Sequence, residues 1–215
     1  MGRRADHTRT ELRQMILDAA TGLIDREGPA GLSARAVARK IGYSVGTLYN
    51  LFDDLDDLVW QVNGRTLDSL EANLAASATG SGAEQRVRRL AQAYLDFVTT
   101  YPKRWALVLE NRSSGAEPPR WYRERIHKLF ELAEMALADY FPPDAADARR
   151  QSAHVLWAGL TGIALLRETT SLPSDIEPAT LVAALVDTHL AGIEGTQGSR
   201  PRVATRARPT GGRRA

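Results

Sequence analysis

The stretch that most constrains this chain is the run 33–52, SARAVARKIGYSVGTLYNLF. It holds two short apolar-periodic segments broken by Gly42. In the first, Ala34, Val37, Ala38 and Ile41 recur at helical spacing; in the second, Val45, Leu48, Tyr49 and Phe52 do so. Ser33 and Ser44 stand where each segment needs a cap, because a hydroxyl there accepts from an orphan backbone N–H of the first turn. Gly42 stands where the first helix must stop, since glycine enters the left-handed region cheaply. Two short helices joined by a tight glycine turn are the layout of a helix-turn-helix, whose second helix enters a DNA major groove. That helix leaves Tyr43, Ser44, Gly46, Thr47 and Asn50 off its apolar face, all of a size and polarity suited to a groove.

The rest of the chain reads as helix after helix. Leu12, Ile16, Ala19, Ala20, Leu23 and Ile24 mark a first helix from Thr10, its expected cap, to Glu27, ended by Gly28-Pro29. A long helix is expected from Asp53 to about Ser77, with Asp53, Asp54, Asp56 and Asp57 at its positive end. Further helices are predicted over 83–100, from Pro102, over 120–141, 144–171 and 178–193. No strand-like alternation or internal repeat interrupts them. The expectation is an all-α protein of about nine helices. A three-helix reading head (1–52) precedes a helical ligand-binding and dimerisation body (53–194), and a disordered basic tail (195–215) follows.

Composition narrows the function. Of the 215 residues, 43% are hydrophobic and 25% charged, enough for an ordinary core. No apolar run approaches the roughly 18 residues a membrane span needs. The start, MGRRADHTRTELRQ, lacks the apolar region of a secretory signal. The absence of cysteine excludes disulfides, thiolate metal sites and cysteine nucleophiles, and fits a reducing cytoplasm. Net charge is only +2 but unevenly spread: residues 1–50 and 195–215 are basic and 51–80 strongly acidic. Basic ends suit an anionic partner such as DNA, and the arm with Arg3, Arg4, His7 and Arg9 suits phosphates or a minor groove. No serine–histidine–acid pattern or phosphate-cradling glycine loop suggests an enzyme. Glu124, His127 and Glu131 share a helix face, but that spacing is common by chance. No metal and no cofactor are expected.

The run GPAGLSARAVARKIGYSVGTLYNLF resembles the reading head of the tetracycline-repressor (TetR) family of bacterial transcription regulators, closely over about residues 10–60. Caps, turn glycine, core spacing and the Thr-Leu-Tyr triplet all coincide. Trp157–Ile163 (WAGLTGI) is similar, more loosely, to one subgroup's ligand-binding body. The resemblance implies a cytoplasmic homodimer on double-stranded DNA with a roughly palindromic operator. Ser33, Arg35, Tyr43, Ser44, Val45, Gly46, Thr47, Tyr49 and Asn50 would face that DNA. It implies a body enclosing a largely apolar small-molecule effector, which Phe97, Trp105, Leu109, Trp121, Tyr122, Trp157 and Thr161 would line and for which Arg112 is a possible anchor. Aromatic residues at helical spacing are equally ordinary core. The last two helices would pair with a second copy, through small Ala158, Gly159 and Gly162 and the face bearing Leu181, Leu185, Val186 and His189. Two departures stand out. The family usually has His where this chain has Leu51, and a phosphate-binding Lys where it has Asp54-Leu55. The missing Lys and the acidic start of the long helix motivate an alternative: a ligand- or protein-binding module of the same fold with weak or no specific DNA binding.

Overall fold

A computed structural model describes residues 7–78, 82–113, 117–168 and 175–198. The arm before residue 7 and the tail beyond 198 lie outside them. Among the described residues there are nine α-helices, two short 3-10 turns and no strand. The α-helices are α1 (Arg9–Glu27), α2 (Ala34–Ile41), α3 (Val45–Tyr49), α4 (Leu55–Ser77), α5 (Ala83–Thr100), α6 (Pro102–Ser113), α7 (Arg120–Ala136), α8 (Ala146–Glu168) and α9 (Pro178–Gly198).

Local chemistry sets most boundaries. The cap of α1 is Thr8, not Thr10: its hydroxyl accepts from the Glu11 N–H while the Glu11 carboxylate accepts from the Thr8 N–H at 2.7 Å. That hydrogen bonding holds the Glu11 carboxyl below its ordinary range. Gly42 ends α2 at φ 76°, in the left-handed region. Helix α3 is shorter than the periodicity predicts. Past Tyr49 the chain turns, with Leu51 and Phe52 both donating to Leu48 O, yet both side chains stay buried. Helix α4 accordingly starts at Leu55 rather than Asp53. Asp54 is extended and caps it, accepting from the Asp57 N–H at 2.7 Å, and Asp57 in turn accepts from the Asp53 N–H at 3.2 Å. Helix α7 stops at Ala136 and gives way to the 3-10 turn Ala138–Tyr140, short of the predicted 141. Helix α9 runs on to Gly198, so the tail expected from residue 195 begins as helix.

Two apolar cores form. The first joins Ile16, Leu23 and Ile24 of α1 to Val37, Leu48 and Phe52, and it takes in Leu58 and Val62 of α4 and Leu107 of α6. The second unites α4 through α9 around Leu67, Leu70, Leu74, Leu90, Tyr94 and Leu129. Helix α4 thus lends one end to the head and the other to the body. At about 1.5 Å per residue it is a rod some 35 Å long. Three helices of about fifty residues bury little surface by themselves. Here the shortfall is made up by Leu58 and Val62 of α4 and Leu107 of α6.

Candidate nucleic-acid interface and the body that carries it

The reading face is built by α2, the glycine turn and α3. Ser33 caps α2 through the Ala36 N–H at 3.2 Å, and Arg35 is exposed in its first turn. Ser44 caps α3 through the Thr47 N–H at 3.1 Å, and its hydroxyl meets the Thr47 hydroxyl at 2.9 Å. That pair orients Thr47 without burying it. Tyr43, Val45 and Thr47 are half-buried, Ser44, Gly46 and Asn50 exposed, and Tyr49 is 45% exposed. Leu48 alone in this helix is fully buried. Of the residues expected to face DNA, none but Val45 is packed against the head's core, and six are exposed. At Gly46 the nearest atom to an added Cβ is Ser44 Oγ at 3.6 Å, an ordinary contact, so nothing inside the protein requires glycine there. The His7 ring stands 6.4 Å from Tyr43, which sets the described start of the chain beside the turn between α2 and α3.

Sequence reasoning missed the brace behind it. Arg13 of α1 donates to Leu51 O at 2.6 Å and lies 4.4 Å over the Phe52 ring, fixing the turn after α3. Its partners are 38 residues away, beyond any local periodicity. It also missed the joint between head and body. Lys103 donates to the last carbonyls of α1, those of Asp25 and Arg26, where a cation suits the helix dipole. Arg104 grips the Asp25 carboxylate through two bonds of 2.6 Å, which raises the guanidinium above its ordinary value. Arg65 of α4 bonds Asp18 at 2.9 Å, and fully buried Asn63 donates to Leu107 O at 3.3 Å.

The residues expected around an effector all lie in or against the core of the body, in separate ring groups. Phe97, Trp105, Tyr122 and Trp157 are buried; Leu109, Trp121 and Thr161 are half-buried. Tyr94 links three of them, edge-on to Trp105 at 5.6 Å and to Trp157 at 4.9 Å, with its hydroxyl 3.0 Å from that of Thr161. Tyr122 packs edge-on to Trp60 of α4 at 4.7 Å. Trp105 Nε1 and Asn63 Oδ1 are buried polar atoms with no hydrogen-bond partner. Among the described residues the only buried polar or charged side chains are Asn63 and Thr66, so the described interior carries no charge. The side chain of Arg112 lies outside the described residues.

On the far side, α8 and α9 bound an open groove of about 540 Å³, lined by Val155, Leu185, Ile193 and Phe141 with Ser152 and His189 at 2.8 Å from each other. Val155 in its wall is exposed, as are Leu165 and Leu166 about 15 Å further along α8. Gly159 is used inside the chain: an added Cβ would sit 2.7 Å from Leu185 Cδ2. Gly162 meets nothing within 4 Å, and Ala158 is exposed.

Comparison with known proteins matches this architecture. Residues 16–62 match the family described as bacterial regulatory proteins, tetR family, and residues 87–189 match the tetracyclin repressor-like C-terminal domain. The chain belongs to the TetR family. It is therefore a helix-turn-helix transcription regulator. One TetR-type relative is an uncharacterized HTH-type transcriptional regulator of Mycobacterium tuberculosis, Rv0681, 27% identical over 85% of this chain and 81% of its own length. An HTH-type transcriptional regulator of Staphylococcus aureus is 41% identical over 57% of this chain and 65% of its own. Among solved structures, a protein of unknown function from Rhodococcus sp. RHA1 superposes with a TM-score of 0.74 at 25% identity, covering 89% of this chain and 98% of that one. The multidrug binding protein EbrR, solved with imidazole, does so with a TM-score of 0.59 at 25% identity over 86% and 96%. Among the described residues of this TetR-family chain, no helix is long and apolar enough to cross a membrane, and no three His, Asp or Glu are grouped to hold a metal ion.

Proposed function

We propose that this regulator is a homodimeric, ligand-responsive repressor that binds a palindromic operator in the cytoplasm and leaves it when a small molecule enters the body. The observation that carries the reading is α4, which shares its residues between the core under the reading face and the core of the body. Thr47, Tyr49, Asn50 and Arg35 contact bases and phosphates, with Ser33 at a helix N-terminus for a phosphate. Gly46, which the fold does not require to be glycine, lets the helix backbone approach the groove. The exposed apolar groove of α8 and α9 is covered by the same face of a second copy, an isologous contact that builds a four-helix bundle.

The effector occupies the region of Phe97, Trp105, Leu109, Trp121, Tyr122, Trp157 and Thr161. An apolar molecule suits that environment, and the similarity to a multidrug binding protein supports it. Effector and operator then oppose each other through α4 and the joint at Lys103 and Arg104, each weakening the other by the same factor.

Selection of bound fragments from genomic DNA at low salt tests the reading. An enriched palindrome is expected. Recovery of no paired half-sites would instead favour the alternative, a ligand- or protein-binding module, for which the acidic residues Asp53 to Asp57 are the motive.

A further inference from the structure

Helix α7 holds α4 at one place by a contact only glycine permits. Gly64 is buried on α4, and a Cβ added there would come within 2.8 Å of Trp121 Cζ3, 3.4 Å of Trp121 Cη2 and 3.6 Å of Arg125 Nε. The indole therefore lies directly on the α4 backbone. Two groups flank it: the Tyr122 ring meets it edge-on at 5.8 Å and the Arg125 guanidinium lies 5.0 Å over it. Arg125 is in turn tied to Asp68 of α4 by bonds of 2.7 and 3.2 Å. Trp60, Gly64 and Asp68 follow one another at intervals of four, so they form one stripe along α4. All three meet the α7 residues Tyr122, Trp121 and Arg125.

We infer that Trp121 is a positioning residue for operator recognition: resting on Gly64, it sets the angle at which α4 carries the reading head, and so the half-site spacing the dimer accepts. This rests on the reading of the protein as a dimeric operator-binding regulator. The geometry supplies a magnitude. A Cβ at Gly64 falls about 1 Å inside ordinary carbon–carbon contact. Leu74, fully buried in the core of the body, is taken as the pivot. Gly64 lies about 15 Å and Leu55 about 28 Å along the rod from it, so a 1 Å displacement at Gly64 becomes about 2 Å at the head. Two heads moving oppositely change their separation by about 4 Å, close to the roughly 3.4 Å between successive base pairs.

The test is DNA selection with the full-length protein and three variants, reading the spacing between enriched half-sites. Wild type is expected to prefer one spacing, and Gly64→Ala to lose that preference. Adding Trp121→Leu to Gly64→Ala relieves the clash and returns the wild-type spacing, which mere destabilisation would not do. Trp121→Leu alone accepts the wild-type spacing and its neighbours. If Gly64→Ala retains the wild-type preference, or its loss survives Trp121→Leu, the inference is wrong while the operator reading stands. If Gly64→Ala does not fold, Trp121→Leu decides, and an unbroadened spacing overturns the inference. Wild type that enriches no paired half-sites removes both.

Discussion

Arg104 and Asp25 face each other squarely across the joint between head and body, two guanidinium nitrogens on two carboxylate oxygens, each at 2.6 Å. The pair is half-shielded from water, and a bidentate geometry of this kind fixes direction as well as distance. Breaking it with Asp25→Ala should lower stability by about 1 kcal/mol, the upper range for a partly exposed pair. Its larger effect should be on coupling: operator affinity should change less when effector is added. Urea denaturation and DNA binding with and without effector measure the two separately. An unchanged effector response would remove the pair from the relay.

Asp54 is expected to act as a helix cap. Asparagine caps as well as aspartate, while alanine loses about 1 kcal/mol. Asp54→Asn should therefore keep the thermal midpoint, and Asp54→Ala should lower it. If the charge also repels phosphate, Asp54→Asn should bind operator DNA more tightly and Asp54→Ala likewise. Equal affinity in all three proteins would assign the residue to capping alone.

Thr47→Ala should weaken binding to the selected operator by about tenfold, within the 1–3 kcal/mol of a lost base contact. Non-specific binding, set by phosphates and salt, should hardly change. Dimerisation, read by light scattering, should be untouched. A variant that discriminates operator from random DNA as well as wild type would take Thr47 off the reading face.

His189 gives stability a pH dependence. Burial pushes its imidazole below the ordinary value of 6.5, and the hydrogen bond with Ser152 only partly opposes that. A depressed histidine is neutral in the folded state, so the unfolded chain takes up the proton more readily. Its contribution is complete above pH 6.5 and is lost as pH falls through the lowered native value. Covering by a second copy should deepen the effect. The thermal midpoint of wild type should fall between pH 6.5 and 5 more steeply than that of His189→Gln; parallel curves would contradict this.

The head was legible in sequence because its signals are local. Ser33, Gly42 and Ser44 do in the structure what their positions announce, since a cap or a left-handed turn depends on a few adjacent residues. The same locality explains Thr8. The capping box with Glu11 needs only three residues of spacing, and it won over Thr10 because it satisfies two N–H groups together. Apolar periodicity through Phe52 misled for a related reason. A side chain can remain in the core after its backbone has left the helix, as Leu51 and Phe52 do. Arg13, Asn63, Lys103 and Arg104 were invisible because each acts on a partner 38 to 79 residues away. The aromatic residues of the body could be named from sequence, but the pairing of Trp105 and Trp157 through Tyr94 depends on how α5, α6 and α8 cross.

Leu107 has a consequence for anyone cutting or recombining this protein. It is a residue of α6, and its side chain is 6% exposed in the core beneath the reading helix. A fragment ending anywhere in α4 leaves that space unfilled, a defect of the kind that a leucine-to-alanine change makes at about 3 kcal/mol. For a unit this small that is a large part of its stability. A chimera joining this head to a foreign body would therefore fold well only if the new body offers an apolar side chain at the same place. Heads and bodies in such grafts are matched pairs, with one leucine serving as the fitting.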